Sequence, residues 1–560
     1  MSEELIGRVI SIYGRSLLRI AVLEEKLPLV SRIGTYVKVR DPNDDTWLYG
    51  LVIGFNLLDE LYKHGRIVEE MEGYEELRPS RNEVLANIVG YTKSGRVFRG
   101  CSLLPRPGEK VYLVDKEELS LINGKGDIAI GVNSTFKDVE VRLDINKLCS
   151  RHLAILAMTG AGKSNALAII LAEILNKYRY SRIILIDTHS EYVSLAHNES
   201  FRAKVYMPKG SFADIIRESY GIDVKNLEIP LWTLGFEEIA NILRLDSKAT
   251  KQRLHLRDAI RSSRRKRFAN AGVEDPIYYT IDDLISEVKG IRDSSALELL
   301  IKLRELKENE ELFFLTKTEE TDKIYTSVQD LKEPERSLNV YNNIVSKFLD
   351  PSLNIISLGG LPAEIQASIV SSLLRAVWRV VVSQRVAGLS FPVMIAIEEA
   401  HIYAPKGKWT PARDILERVA REGRKFGVSL TIVSQRPREL SETLLSQCGN
   451  LIALRTVNPE DQRHIMRSME DVSYETVQNL SGLEVGEALI SGPSITFPAI
   501  VKIYEFSKRY NLELGGKDID WRAQWSTPPR EITLRHGLHS KESEEKVEHS
   551  HSLDEFLMES

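Results

Sequence analysis

The stretch Ala157-Met158-Thr159-Gly160-Ala161-Gly162-Lys163-Ser164 decides the fold. Residues 153–157 before it form an apolar run of strand length, residues 163–176 after it carry an apolar helical pattern, and residues 183–186 are a second apolar run. Strand, small-residue loop, helix and strand make a βαβ unit, which requires a parallel sheet. A loop of this composition lets successive backbone N–H groups and a helix N-terminus surround phosphate oxygens. Gly160 and Gly162 permit the close approach, Lys163 is placed to reach the β and γ phosphates of ATP, and the Ser164 hydroxyl is placed to ligate Mg²⁺. Ala157 stands where the usual pattern has glycine, a departure of one methyl group.

Hydrolysis of Mg-ATP also needs carboxylates at the end of a neighbouring buried strand. Residues 393–397 are such a strand, and Glu398 and Glu399 follow it, the first suited to the metal's water shell and the second to polarising the attacking water. A further strand at 428–433 leads to Gln435, which either senses the γ-phosphate or makes a strand-end hydrogen bond. Between the two strands, Arg418, Arg421, Arg424 and Lys425 form a cationic cluster at the end of a helix. One of these arginines could cross a subunit boundary to stabilise the transferring phosphoryl group, and surface ion pairing is the alternative.

Working outward, a chain of 560 residues with 43% hydrophobic content is globular and large enough for several domains. The division expected is an N-terminal β-barrel at 1–145, the first part of an α/β ATPase core at 146–211, a helical insertion at 212–335, the second part of the core at 336–510, and a C-terminal arm with a polar tail at 511–560. The barrel is inferred from short strand signals at 7–12, 17–23, 35–40, 47–53 and 111–114 with turn residues between them. A net charge of -5, from 75 basic and 80 acidic residues, excludes a chain that is basic overall, so any nucleic-acid surface must be local. Residues 261–267, with four arginines and a lysine, read either as a phosphate-contacting patch or as a solvated helix face, and the second reading is favoured. Three cysteines, Cys101, Cys149 and Cys448, lie far apart, which argues against a disulfide framework. No signal peptide or run of about 20 apolar residues is evident, so a cytoplasmic, soluble protein is expected.

These motifs resemble the HerA family, archaeal hexameric DNA translocases of the HerA and FtsK group of RecA-like ATPases. The resemblance is carried by residues 151–165, Ile186-Asp-Thr-His-Ser-Glu-Tyr192, Ile397-Glu-Glu-Ala-His401, residues 420–427, Ser434-Gln-Arg-Pro437 and Gly486-Glu-Ala488. It implies that Gly160, Ala161, Gly162, Lys163, Ser164 and Asn165 hold the nucleotide phosphates, that Arg151 contacts the nucleotide, and that Glu399 is the catalytic carboxylate. It further implies that Arg424, or failing it Arg421, acts in trans, and that Lys502 and Ile503 lie near the nucleotide. The partners implied are a homohexameric ring with duplex DNA in its channel and a nuclease of the NurA kind on the barrel face, working in the resection of broken DNA ends. Rival readings are a conjugation or protein-export ATPase, which works at a membrane, and an assembly protein gated by nucleotide. The pairing of Glu398 with Glu399 argues against the last, because a nucleotide switch can dispense with a water-orienting carboxylate.

Overall fold

The computed structural model describes residues 4–14, 16–41, 46–59, 80–100, 104–309, 312–316, 334–468, 474–516 and 520–526. Near the N-terminus, the strands Leu5–Tyr13, Leu17–Val22, Tyr36–Arg40, Thr46–Asp59, Ser80–Lys93 and Lys110–Leu113 form an antiparallel barrel. Pairing of Leu17–Val22 with Ser80–Lys93 closes it, and Arg96–Arg99 extends it as a hairpin. Alternating residues such as Ile6, Leu18, Ile20, Val37, Val39 and Val84 fill the interior.

The motor is one sheet of 12 strands. Its parallel part runs in the order Val224–Asn226, Ala203–Met207, Leu353–Ser357, Ile183–Asp187, Val393–Ile397, Val428–Ser434, Leu153–Leu156 and Asn450–Leu454. It continues antiparallel through Glu487–Ser491, Ala499–Ile503, Ile128–Asn133 and Glu140–Leu143. The central parallel strands are buried along their whole length, as expected of a sheet with both faces covered.

Two expected boundaries shift. Residues 128–143, assigned above to the barrel, hydrogen-bond to Ala499–Ile503 in the motor sheet, and Ile128, Ile130, Val141 and Leu143 share the core of the P-loop helix. Strand Val224–Asn226 still pairs with Ala203–Met207, so the helical insertion begins beyond residue 226 instead of at 212. Within the insertion, the basic stretch 261–267 is a structural face. Arg264 is buried against the carbonyls of Trp232, Leu234 and Val273, Lys266 pairs with Glu287, and Arg267 pairs with Asp283. Helix Ala363–Val386 is long and apolar enough to cross a membrane, contrary to the expectation that no such stretch exists, but 78% of its apolar window is buried in the fold, as in a core helix. Cys149 and Cys448 are free thiols, while Cys101 and the polar tail beyond residue 526 lie outside the described residues.

The barrel meets the motor at a seam of aromatic rings. Tyr49 packs on Phe497 with centroids 5.5 Å apart, and the Tyr36 hydroxyl donates to the carbonyl of Pro498. Gly90 lies under this seam, where a methyl group would overlap the ring edge of Phe497 and the carbonyl of Phe98. Gly90→Ala is therefore expected to cost about 1–3 kcal/mol by overpacking and to lower the first calorimetric transition of the full chain. An unchanged thermogram would show that the seam has slack.

Candidate functional site

Strand register brings the predicted residues together. Leu156 pairs with Ser434, and Ile397 pairs with Ile432, so the carboxyl ends of three adjacent parallel strands open at one edge of the sheet. The P-loop follows the first strand, Gln435 the second, and Glu398 and Glu399 the third. Gly160 (φ +76°) and Gly162 (φ +103°) adopt conformations that favour glycine, and Gly162 caps the 15-residue helix Lys163–Lys177. A methyl group at Gly160 would meet open space, and Gly160 and Gly162 both line a cleft. That cleft has a volume of about 330 Å³ and is walled by Thr159, Lys163, Ser164, Glu191, Glu399 and Gln435, with Phe506 and residues 513–516 on the far side.

Lys163 is nearly buried, and its Nζ lies 2.6 Å from Glu399 Oε1 and 3.4 Å from Glu398 Oε1. Burial disfavours its charge, but the fields of Glu398 and Glu399 outweigh burial and raise its pKa. The two carboxylates diverge. Burial pushes Glu398 up to about 9, helped by the carboxyl of Asp187 and opposed by Lys163. Burial also acts to raise Glu399, but the hydrogen bond from His401 and the Lys163 ammonium bring it down to about 2. Glu399 sits at φ +47°, an uncommon conformation for a side chain other than glycine and of the kind that marks functional sites. The Thr159 hydroxyl donates to Gln435 Oε1 at 2.9 Å across the cleft mouth, tying the last predicted residue to the loop.

The donor set fits a hard divalent cation beside a polyphosphate. The atoms that Ser164 and Glu398 offer are oxygens, and Glu398 Oε2 is buried without a hydrogen-bond partner.

The other predicted residues fall in different places. Asn165 is a bracket: its amide donates to the Tyr504 carbonyl at 2.8 Å and accepts from the Phe506 N–H at 2.7 Å. Ala161 is buried, and its carbonyl accepts from the Gly486 N–H. Lys502 turns its ammonium onto the Val485 carbonyl at 2.6 Å, and Ile503 is buried with its N–H on Gly486, so neither lines the cleft. What reaches the cleft from that end of the chain is Phe506 and residues 513–516. Arg151 precedes strand Leu153–Leu156 and therefore stands at the opposite edge of the sheet, about 13 Å of strand away from the P-loop. Arg421 and Arg424, in the last turns of helix Pro411–Phe426, lie at that same far edge, since strand Val428–Ser434 starts just after them. Arg421 leans on Glu417 at 3.6 Å, whereas Arg151 and Arg424 are exposed and form no ion pair among the described residues.

Sequence reasoning missed three residues. Glu191 accepts from the Ser164 hydroxyl at 2.7 Å, and Asp187, raised to about 7 by burial, accepts the N–H groups of Glu191 and Tyr192. Both lie in the quoted string 186–192, which carried the signal but no role. His152 is the third. At φ +54° it is buried, its Nδ1 accepts from the Leu430 N–H at 3.0 Å, and its Nε2–H donates to the Ala420 carbonyl at 3.0 Å. It thereby ties the segment bearing Arg151 to the helix bearing Arg424.

A P-loop on one strand, paired glutamates on the next but one, and a polar strand end between them define a RecA-like P-loop ATPase core, here preceded by a β-barrel. The chain belongs to the HerA helicase family: "Helicase HerA, central domain" matches residues 128–377, and "Helicase HerA-like C-terminal" matches residues 388–504. It is 33% identical to a Methanocaldococcus jannaschii protein named as a probable helicase, over 88% of this chain and 90% of that one. It is 31% identical to the DNA double-strand break repair helicase HerA of Pyrococcus furiosus (83% of this chain, 86% of that one) and 31% identical to that of Sulfurisphaera tokodaii (91% and 94%). Among solved structures, VirB4 of Thermoanaerobacter pseudethanolicus shares the fold, with a TM-score of 0.50 at 15% identity over 68% of this chain and 98% of that one.

Burial lowers the pKa of His152. A histidine kept neutral in the fold but free to charge when unfolded stabilises fully above its ordinary value of about 6.5, and its contribution is lost as the pH falls below that value. Thermal unfolding is expected to show an acid-side loss below about pH 6.5 that His152→Gln lacks, while the variant melts lower at neutral pH. Equal acid slopes for the two proteins would exclude His152 as the cause.

Proposed function

We propose that this chain hydrolyses Mg-ATP to drive duplex DNA through a ring of six copies, as a translocase and helicase in double-strand break repair, with a nuclease of the NurA kind docked on the barrel face. The observation that carries the reading is the division of the site. A P-loop with its buried Lys163 and two glutamates faces one edge of the sheet, and two exposed arginines that form no ion pair among the described residues, Arg151 and Arg424, face the other. A ring brings the second edge of one copy to the first edge of the next, which completes a site that no single copy contains. The names of the relatives support DNA repair as the setting.

In this reading the P-loop amides and Lys163 bind the phosphates. Ser164 and Glu398 would hold Mg²⁺, which would supply positive charge to offset that of the phosphates. The same move that takes Lys163 to the γ-phosphate removes the ammonium that depresses Glu399. Glu399 then becomes more basic at the moment its carboxylate must accept a proton from the attacking water. Gln435, at the cleft mouth, orients that water or reads the γ-phosphate. Arg424 and Arg151 of the neighbouring copy stabilise charge on the transferring group, the paired Arg421 being less free to do so.

Steady-state ATP hydrolysis with and without linear duplex DNA tests the reading. Duplex DNA is expected to raise turnover, and Glu399→Gln to lower it by about 10²–10⁴-fold while nucleotide binding persists. Turnover indifferent to DNA would contradict the motor. Sedimentation with nucleotide is expected to give six times the 63.5 kDa chain mass, and a monomer under those conditions would contradict the ring.

A further inference from the structure

Of the two carboxylates in the string 186–192, Glu191 is the one that lines the cleft. Glu191 Oε2 accepts the Ser164 hydroxyl at 2.7 Å. A hydroxyl has one proton and two lone pairs. When that proton is committed to a carboxylate, the lone pairs point elsewhere, and here elsewhere is the cleft where a nucleotide's divalent cation sits. Outer-shell acceptors of this kind orient the groups that touch a metal.

The structure spends several contacts on holding Glu191 in place. Its N–H donates to Asp187 Oδ1 at 3.0 Å, and its carbonyl accepts the Gly515 N–H at 2.8 Å, so the backbone is fixed on both sides. Gly515 and Gly516 then lie flat against it. A methyl group at Gly515 would come within 3.1 Å of the Glu191 Cα and carbonyl oxygen, and one at Gly516 would sit 2.9 Å from Oε1 of its carboxylate. Gly516 also has φ +72°, which favours glycine independently of the space. Leu512 and Leu514 anchor this strap by packing on the core under the P-loop helix.

We propose that Glu191 is the outer-shell carboxylate that aims the Ser164 hydroxyl at the nucleotide's divalent cation, and that Gly515 and Gly516 are the positioning contact that keeps it aimed. The inference rests on the ATPase reading and adds to it a link between the start of the C-terminal arm and the affinity for Mg²⁺. In this proposal Glu191 is a positioning residue. Its effect reaches the phosphates only through Ser164, and the effect of the glycines only through Glu191.

The test is binding of a fluorescent ATP analogue to the full chain, titrated with Mg²⁺ and repeated in EDTA. Glu191→Ala is expected to raise the Mg²⁺ half-point about 10- to 100-fold while metal-free binding of the analogue stays at the wild-type level. Glu191→Gln, which keeps an acceptor oxygen, is expected to lose less, and Gly516→Ala to shift the half-point the same way as Glu191→Ala. If Glu191→Ala, folded by circular dichroism, keeps the wild-type Mg²⁺ half-point, or weakens metal-free binding to the same degree, the proposal is overturned. Absence of Mg²⁺-dependent binding in the wild type would instead overturn the ATPase reading itself.

Discussion

The ammonium of Lys163 is the group on which the site depends. It is the cation that stands between Glu398 and Glu399 in an interior both carboxylates share. Removing one partner of such a buried cluster typically costs about 3–5 kcal/mol, so the residue that would move to bind nucleotide also holds the two carboxylates together. The two glutamates shift in opposite directions. Burial, with Asp187 beside it, favours the proton on Glu398 against the pull of Lys163, whereas the hydrogen bond from His401 and the Lys163 ammonium overcome burial and keep Glu399 ionised. A cation bound near Glu398 would reverse that preference, which couples metal binding to proton release.

Strand polarity sets the second constraint. Parallel strands have two unlike edges, and loops at their carboxyl ends form the ligand crevice. The sequence puts the P-loop, the glutamates and Gln435 at carboxyl ends but Arg151 and Arg424 before amino ends. His152 ties the two arginine-bearing segments together through Ala420 and Leu430. The barrel and the start of the arm both join the motor by close contacts at glycines, Gly90 under Phe497 and Gly515 and Gly516 against Glu191.

The near edge was legible because its chemistry is local in sequence. Eight consecutive residues specify the P-loop, and two glutamates after a five-residue apolar run specify the acid strand. Residues 128–143 fell on the barrel side of the expected boundary at 145, because antiparallel pairing with residues 499–503 has no sequence-local signature. Strand Ser80–Lys93 passed unnoticed for a related reason: its partners lie at 17–21 and 46–59, outside its own stretch of sequence. Lys502 and Ile503 came from family resemblance; they bond to Val485 and Gly486, while Phe506 and residues 513–516 line the cleft. Glu191 was visible as a letter but not as a role, because its meaning depends on a hydroxyl 27 positions earlier and two glycines near residue 515.

The claim that the site is shared between copies is tested most directly by mixing two inactive variants and measuring ATP hydrolysis in the presence of duplex DNA. Lys163→Ala lacks the phosphate-binding lysine but keeps its arginines, and Arg424→Ala keeps a whole P-loop but lacks the arginine. If the arginine acts across a boundary, mixed rings regain turnover that neither variant shows alone, since a P-loop from one meets an arginine from the other. If the mixture, shown to exchange subunits, does no better than the sum of its parts, the arginine serves its own copy and the shared site is contradicted.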